Sequence, residues 1–200
     1  MPACCDAPSH PWNRWQVERL WMPKPLRCLI VGENPGDVTS EYFYEPPADP
    51  KNDRVRVRRE LLDGLHDVGL IAGPTLEAFR DAGFLFDHAI RCPLPSSTVN
   101  QERQKANRYA SERVANPVHL APSLAQAKLV WVMGHLASNA VANATSDFPK
   151  EKRKISQPPF PGPITPDSRF FVSEYFHRFN KKETPGIFAA FARFARLNGF

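Results

Sequence analysis

Two hundred residues are enough for one domain with its own core, and 42% hydrophobic against 24% charged residues excludes a disordered chain. No apolar run approaches a membrane span, and residues 1–11 lack a basic segment followed by an apolar one, so the expectation is a cytoplasmic protein (nucleoid-associated if bacterial) with no membrane partner. A net charge of +5 adds a mild bias towards polyanions.

Residues 1–25, rich in Pro and Trp, read as an extension packed on an α/β domain that occupies residues 26–200. Trp15 to Trp21 suggests a short helix, with the indoles as packing anchors because large aromatics are usually buried. Residues 26–31 form a nearly continuous apolar run, the pattern of a strand covered on both faces. The run stops at Gly32-Glu33-Asn34-Pro35-Gly36, a tight turn at the strand's carboxyl end. In open α/β sheets ligands bind at that end. A long loop with Tyr42-Phe43-Tyr44 follows. A helix is predicted over about 54–68, capped by Asn52 or Asp53, striped by Leu61, Leu62 and Leu65, and ended by Gly69.

Further along come a short helix at 74–82, a strand at 84–90, a polar surface helix at 100–115, and a strand at 128–133 running into Gly134. A small-residue helix covers 136–144, a basic Pro-rich loop 147–168, and a strand 169–173. The last helix starts at Pro185 behind Thr184, with Ile187, Phe188, Phe191, Phe194 and Ala195 buried and Arg193 and Arg196 outward. Strands alternating with helices predict a single α/β domain around a four-stranded parallel sheet, with all strand ends on one rim. Basic residues gather in three places: Arg54, Arg56, Arg58 and Arg59; Lys150, Lys152, Arg153 and Lys154; and Arg178, Lys181 and Lys182. Cys4, Cys5, Cys28 and Cys92 do not show a metal-ligand spacing and read as reduced thiols.

Four segments in order resemble the uracil-DNA glycosylase superfamily. Gly32-Glu33-Asn34-Pro35-Gly36 is similar to its first motif, Gly-x-Asn-Pro-Gly in the mismatch-specific and single-strand-selective branches and Gly-Glu-Ala-Pro-Gly in the iron–sulfur branch. His88-Ala89-Ile90-Arg91-Cys92-Pro93-Leu94-Pro95 resembles the Asn-Ala-Val-Arg-Cys-x-Pro-Pro segment of the iron–sulfur branches. Val132 to Ala137 resembles the next strand and its Gly-x-x-Ala turn, and Ser173 to Asn180 takes the place of the final His-Pro-Ser motif. The resemblance covers about 26–197 and implies the superfamily's fold and the hydrolysis of the N-glycosidic bond of uracil flipped out of DNA, with free uracil as product. The implied enzyme is monofunctional and a monomer.

The chemistry asks for a positioned water and for groups that steady a sugar cation and a base anion. The resemblance assigns Asn34 to the water, His177 to the developing charge on the base, and Glu33 to a second carboxylate or a turn residue. It assigns Gly32, Phe43, Tyr44 and His88 to the base pocket, and Arg178, Lys181, Lys182, Lys152 and Arg153 to DNA. The chain departs from the family in three places. His88 stands where the family has the Asn that reads the uracil edge. The chain reads His177-Arg178-Phe179-Asn180 after the last strand, so the register there allows Tyr175 as the motif position and Arg178 or Phe179 as the duplex wedge. Cys92 matches one cluster ligand but the others are missing, which predicts no iron–sulfur cluster and no cofactor. Gly36 replaces the tyrosine that blocks thymine in the most uracil-specific branch, leaving exclusion to Tyr42 or Tyr44. The alternatives are a glycosylase for hypoxanthine or xanthine, a silent nucleic-acid-binding module, and a small-molecule enzyme using the glycine turn as an anion site.

Overall fold

A computed structural model describes residues 10–34, 42–46, 55–92, 109–148, 162–163, 168–174 and 184–200. Its helices are α1 (Pro11–Arg14), α2 (Arg56–Asp67), α3 (Leu76–Asp81), α4 (109–115), α5 (Ala121–Gln126), α6 (His135–Ala144) and α7 (Thr184–Leu197). A π-helical turn spans Val17–Trp21. The strands are β1 (Cys28–Gly32), β2 (Phe84–His88), β3 (Leu129–Met133), β4 (Gly162–Pro163) and β5 (Phe170–Ser173).

The sheet runs β2-β1-β3-β5-β4. Its four longer strands are mutually parallel, as expected, but β4 pairs antiparallel with β5, so the sheet is mixed and five-stranded rather than four-stranded and parallel. Two residues, one of them proline, carry no periodicity to read, and proline is tolerated only at such an edge. No helix among the described residues is long and apolar enough to cross a membrane.

Register explains the core. Ile30 lies beside Phe86 and Trp131, and Trp131 beside Phe171, which puts all four on one face of the sheet. There Phe191 of α7 stacks on Trp131 with ring centroids 4.2 Å apart, and Phe188 meets the same indole edge-on. The expected α7 stripe of Ile187, Phe188, Phe191, Phe194 and Ala195 is buried, and Arg193 and Arg196 are exposed. Helix α2 reaches α7 at Gly64, where an added Cβ would lie 2.3 Å from the Phe188 ring. On the opposite face, Phe148 meets Phe170 edge-on.

Several boundaries move for local reasons. Helix α2 begins behind Val55 with no side-chain cap, and Gly69 at φ +72° closes it as expected. Arg58 is not part of a basic surface cluster: it is buried and donates to the carbonyls of Phe43 (2.9 Å) and Glu45. Thr75 caps α3 by accepting the Ala78 N–H at 3.1 Å. Helix α5 falls where no helix was predicted; six residues are too few to show a periodicity, and Pro122 sits in its first turn, where the missing N–H costs nothing. At the amino end His10 caps α1, Gln16 takes a left-handed φ of 47°, and the π-helical turn replaces the simple helix expected from Trp15 to Trp21. The indoles do anchor this segment: Trp12 is buried and Trp21 stacks on Tyr44 at 5.9 Å.

The thiols depart from the expectation of four reduced cysteines. Cys28 is free and enclosed in β1, where burial pushes its thiol well up, whereas Cys92 is disulfide-bonded. The short separation that a disulfide needs comes from the fold, not from any spacing along the chain.

Candidate active site

The rim at the carboxyl ends of the parallel strands brings the first three motif segments into contact, with the fourth beginning beside them. Gly32 and His88 are register partners, and the pairing continues past both strands through Ala89 N–H to Gly32 O (2.8 Å) and Ile90 N–H to Glu33 O (3.0 Å). Gly134 donates to Ser173 O at 2.9 Å, joining the end of β3 to the end of β5.

Glu33 spans the gap between these two halves. Its buried carboxylate accepts the Leu136 N–H at 3.2 Å at the start of α6. Residue 134 is glycine for two reasons: its φ is +91°, and an added Cβ would lie 2.5 Å from Glu33 Oε1. A carboxylate at a helix amino end is favourable because free N–H groups and the helix dipole face it. Glu33 is therefore a tie between the first and third motif turns. Asn34 follows at the surface of the same turn, partly buried.

His88 is 3% exposed, with its ring edge-on to Phe86 at 4.8 Å and tilted against Tyr42 at 6.0 Å. Its Nδ1 has no hydrogen-bond partner among the described residues. Burial lowers its pKa to about 3, so the imidazole is neutral across ordinary pH. Its backbone is hydrogen-bonded at both the N–H and the carbonyl. Asp87 takes the His88 backbone N–H at 2.7 Å, and His119 Nε2 donates to His88 O at 2.8 Å.

Beside it lies a buried ion pair. Arg91 Nε and Nη2 donate to the two Asp87 carboxylate oxygens at 3.0 and 2.8 Å, and the guanidinium lies 3.5 Å from the centre of the Trp12 ring. Burial would raise the Asp87 carboxyl, but the charge and hydrogen bonds of Arg91 hold it below its ordinary value. Burial lowers both His10 and His119, which sit within electrostatic reach of this pair. The contributions of His10, His119 and Trp12 were not foreseen. They arrive from distant segments, and no spacing along the chain links them to Arg91.

Phe43 and Tyr44 also reach the rim's neighbourhood, but both rings are enclosed. Phe43 stacks on Phe86 at 4.4 Å and packs against Phe79. Tyr44 Oη accepts the Phe86 N–H (2.8 Å) and donates to Phe86 O (2.9 Å), closing the free edge of β2. Of the three aromatics, Tyr42 is the one beside His88. His177, Arg178, Lys181, Lys182, Lys152 and Arg153 lie outside the described residues. Among the described residues no group of three or more His, Cys, Asp or Glu side chains is arranged to hold a metal.

The class defined by these observations is a single-domain α/β protein with a motif-bearing rim. No protein-family model matches the chain, and no curated protein matches it either.

Proposed function

We propose that the chain is a DNA glycosylase of the uracil-DNA glycosylase type, hydrolysing the N-glycosidic bond of a uracil extruded from single- or double-stranded DNA and releasing free uracil. The observation that carries this reading is the hydrogen-bonded junction of Gly32-Glu33-Asn34 with His88-Ala89-Ile90. Two segments picked out by resemblance, far apart in the chain, meet edge to edge at the end of the sheet where ligands bind.

In this reading Asn34 orients the attacking water and the backbone N–H groups of its turn face the base carbonyl. Glu33 holds the turn against the start of α6 through its bond to Leu136 N–H. His88 offers a neutral imidazole, one nitrogen donating and the other accepting. Phe43 and Tyr44 support the pocket from the core, and the wall nearest the base falls to Tyr42. His177 steadies charge on the leaving base, and Arg178, Lys181, Lys182, Lys152 and Arg153 engage the DNA backbone. The enzyme is a cytoplasmic monomer that needs no cofactor.

A second reading keeps the site and changes the base to hypoxanthine or xanthine. It is favoured by one observation, the unpartnered Nδ1 of His88 where an amide would read uracil. Alkali cleavage of oligonucleotides carrying uracil, hypoxanthine or xanthine separates the two. Product from the uracil strand alone supports the first reading, and product from a purine strand alone supports the second. No product from any strand, single or double, removes both.

A further inference from the structure

Behind Arg91 lies a cleft of about 500 Å³ that the glycosylase reading does not use. Its walls come from three separate segments: Trp12 and Glu18 from the amino-terminal segment, Arg91 from the chain leaving β2, and Arg113, Asn116 and His119 from α4 and the turns after it. Neither Asn34 nor His88 lines it.

Arg91 is unusual in being 8% exposed while still facing a cavity. Asp87 takes Nε and Nη2, Trp12 covers one face of the guanidinium, and Nη1 has no hydrogen-bond partner among the described residues. A guanidinium clamped in this way presents its remaining donors without losing further side-chain freedom on binding. Arg113 is steadied too, lying 5.1 Å from the centre of the Tyr109 ring. Planar guanidinium donors lining a pocket suit an anion with two equivalent oxygens.

We propose that this cleft binds a phosphodiester of a nucleic-acid strand through Arg91 and Arg113. The charge balance selects among phosphates. Among the described lining side chains Glu18, which accepts from Trp12 Nε1 at 3.4 Å and lies within electrostatic reach of Arg91, is set against Arg91 and Arg113, leaving one net positive charge. A lining with one net positive charge matches the single charge of a diester, whose two free oxygens suit the available donors, better than the double charge of a monoester. The position fits a strand as well, because the cleft begins where Ile90–Cys92 leaves the rim. This inference rests on the reading of the chain as a DNA-binding protein but not on its base chemistry.

The test is fluorescence anisotropy with a labelled, uracil-free single-stranded oligonucleotide across a salt series, comparing wild type with Arg113→Gln and Glu18→Gln. Arg113→Gln should weaken binding by about tenfold at low salt and reduce the slope of log affinity against log salt by about 0.7. Glu18→Gln should tighten binding by a few-fold, a direction that structural damage does not produce. No binding by wild type, or unchanged affinity and slope in both variants, overturns the proposal. Inorganic phosphate is titrated in parallel, followed by the amide signals of Arg113 and His119. A response to phosphate with oligonucleotide binding unchanged in Arg113→Gln assigns the cleft to a free anion and overturns the strand. Uracil excision measured on the same proteins keeps the two readings apart. Active wild type with unaltered variant binding removes only the cleft, and inactive wild type with weakened Arg113→Gln binding removes only the glycosylase.

Discussion

Acidification should destabilise this fold through His88, and the size follows from its burial. The folded pKa is lowered from 6.5 to about 3. The sign is that of a group held neutral in the native state: the unfolded chain binds the proton first, so the stabilisation is complete above about pH 6.5 and is lost as pH falls towards 3. At pH 5 the unfolded imidazole is almost fully protonated and the native one almost not at all, which costs about 2 kcal/mol. Asp87, lowered below its ordinary carboxylate value, acts in the same direction but at lower pH. His10 and His119, also lowered by burial, add to the wild-type slope. The assay is urea unfolding at pH 7.5 and 5.0 for wild type and His88→Asn. Between these conditions the wild type should lose about 2 kcal/mol more than the variant, since asparagine removes the titration and leaves the other histidines in place. Equal losses would show that His88 is protonated or hydrated in the native state and would refute the reasoning.

Three further outcomes follow from the same contacts. Asp87→Asn leaves the buried Arg91 guanidinium without its counter-charge, and urea unfolding at pH 7.5 should show a loss of about 3–5 kcal/mol. Glu33→Gln keeps an oxygen that can accept the Leu136 N–H, so excision should stay within a few-fold of wild type, whereas Glu33→Ala should lower stability by about 1 kcal/mol; a Gln variant as slow as an Asn34→Ala variant would make Glu33 a reacting carboxylate. Gly64→Ala sets a helix-propensity gain of about 1 kcal/mol against overpacking of the Phe188 ring at 2.3 Å, worth about 1–3 kcal/mol. Phe188 is buried and Gly64 partly buried in the α2–α7 contact, so the melting temperature should fall; a rise would mean that the ring moves aside freely.

What could be read from the chain was what local pattern controls. The apolar runs of β1, β2 and β3, the α7 stripe and the stop at Gly69 depend on periodicity and on glycine's freedom at positive φ, and each lies within a few residues of its expected place. The rim followed from topology, because parallel strands end on the same side. Side-chain destinations set by distant partners were not legible. Arg58 looked like a surface cation and points inward because the 42–46 segment offers it two carbonyls. The resemblance assigns Phe43 and Tyr44 to the base pocket, but the free edge of β2 draws Tyr44 into the core. Glu33 was an ambiguous carboxylate until Leu136, 103 residues later, supplied the N–H it accepts. The gathering of His10 and His119 around Arg91 depends on how separate segments pack, which no periodicity records.

The most direct test of the central claim is release of uracil from DNA. Purified protein is incubated with a uracil-containing oligonucleotide, single-stranded and paired, and abasic sites are read as alkali-induced breaks. The account predicts breaks at the uracil position with wild type and a rate at least about tenfold lower with Asn34→Ala, as removal of the water-positioning amide requires. An enzyme excess that yields no break on either substrate, or an Asn34→Ala variant as fast as wild type, would contradict it.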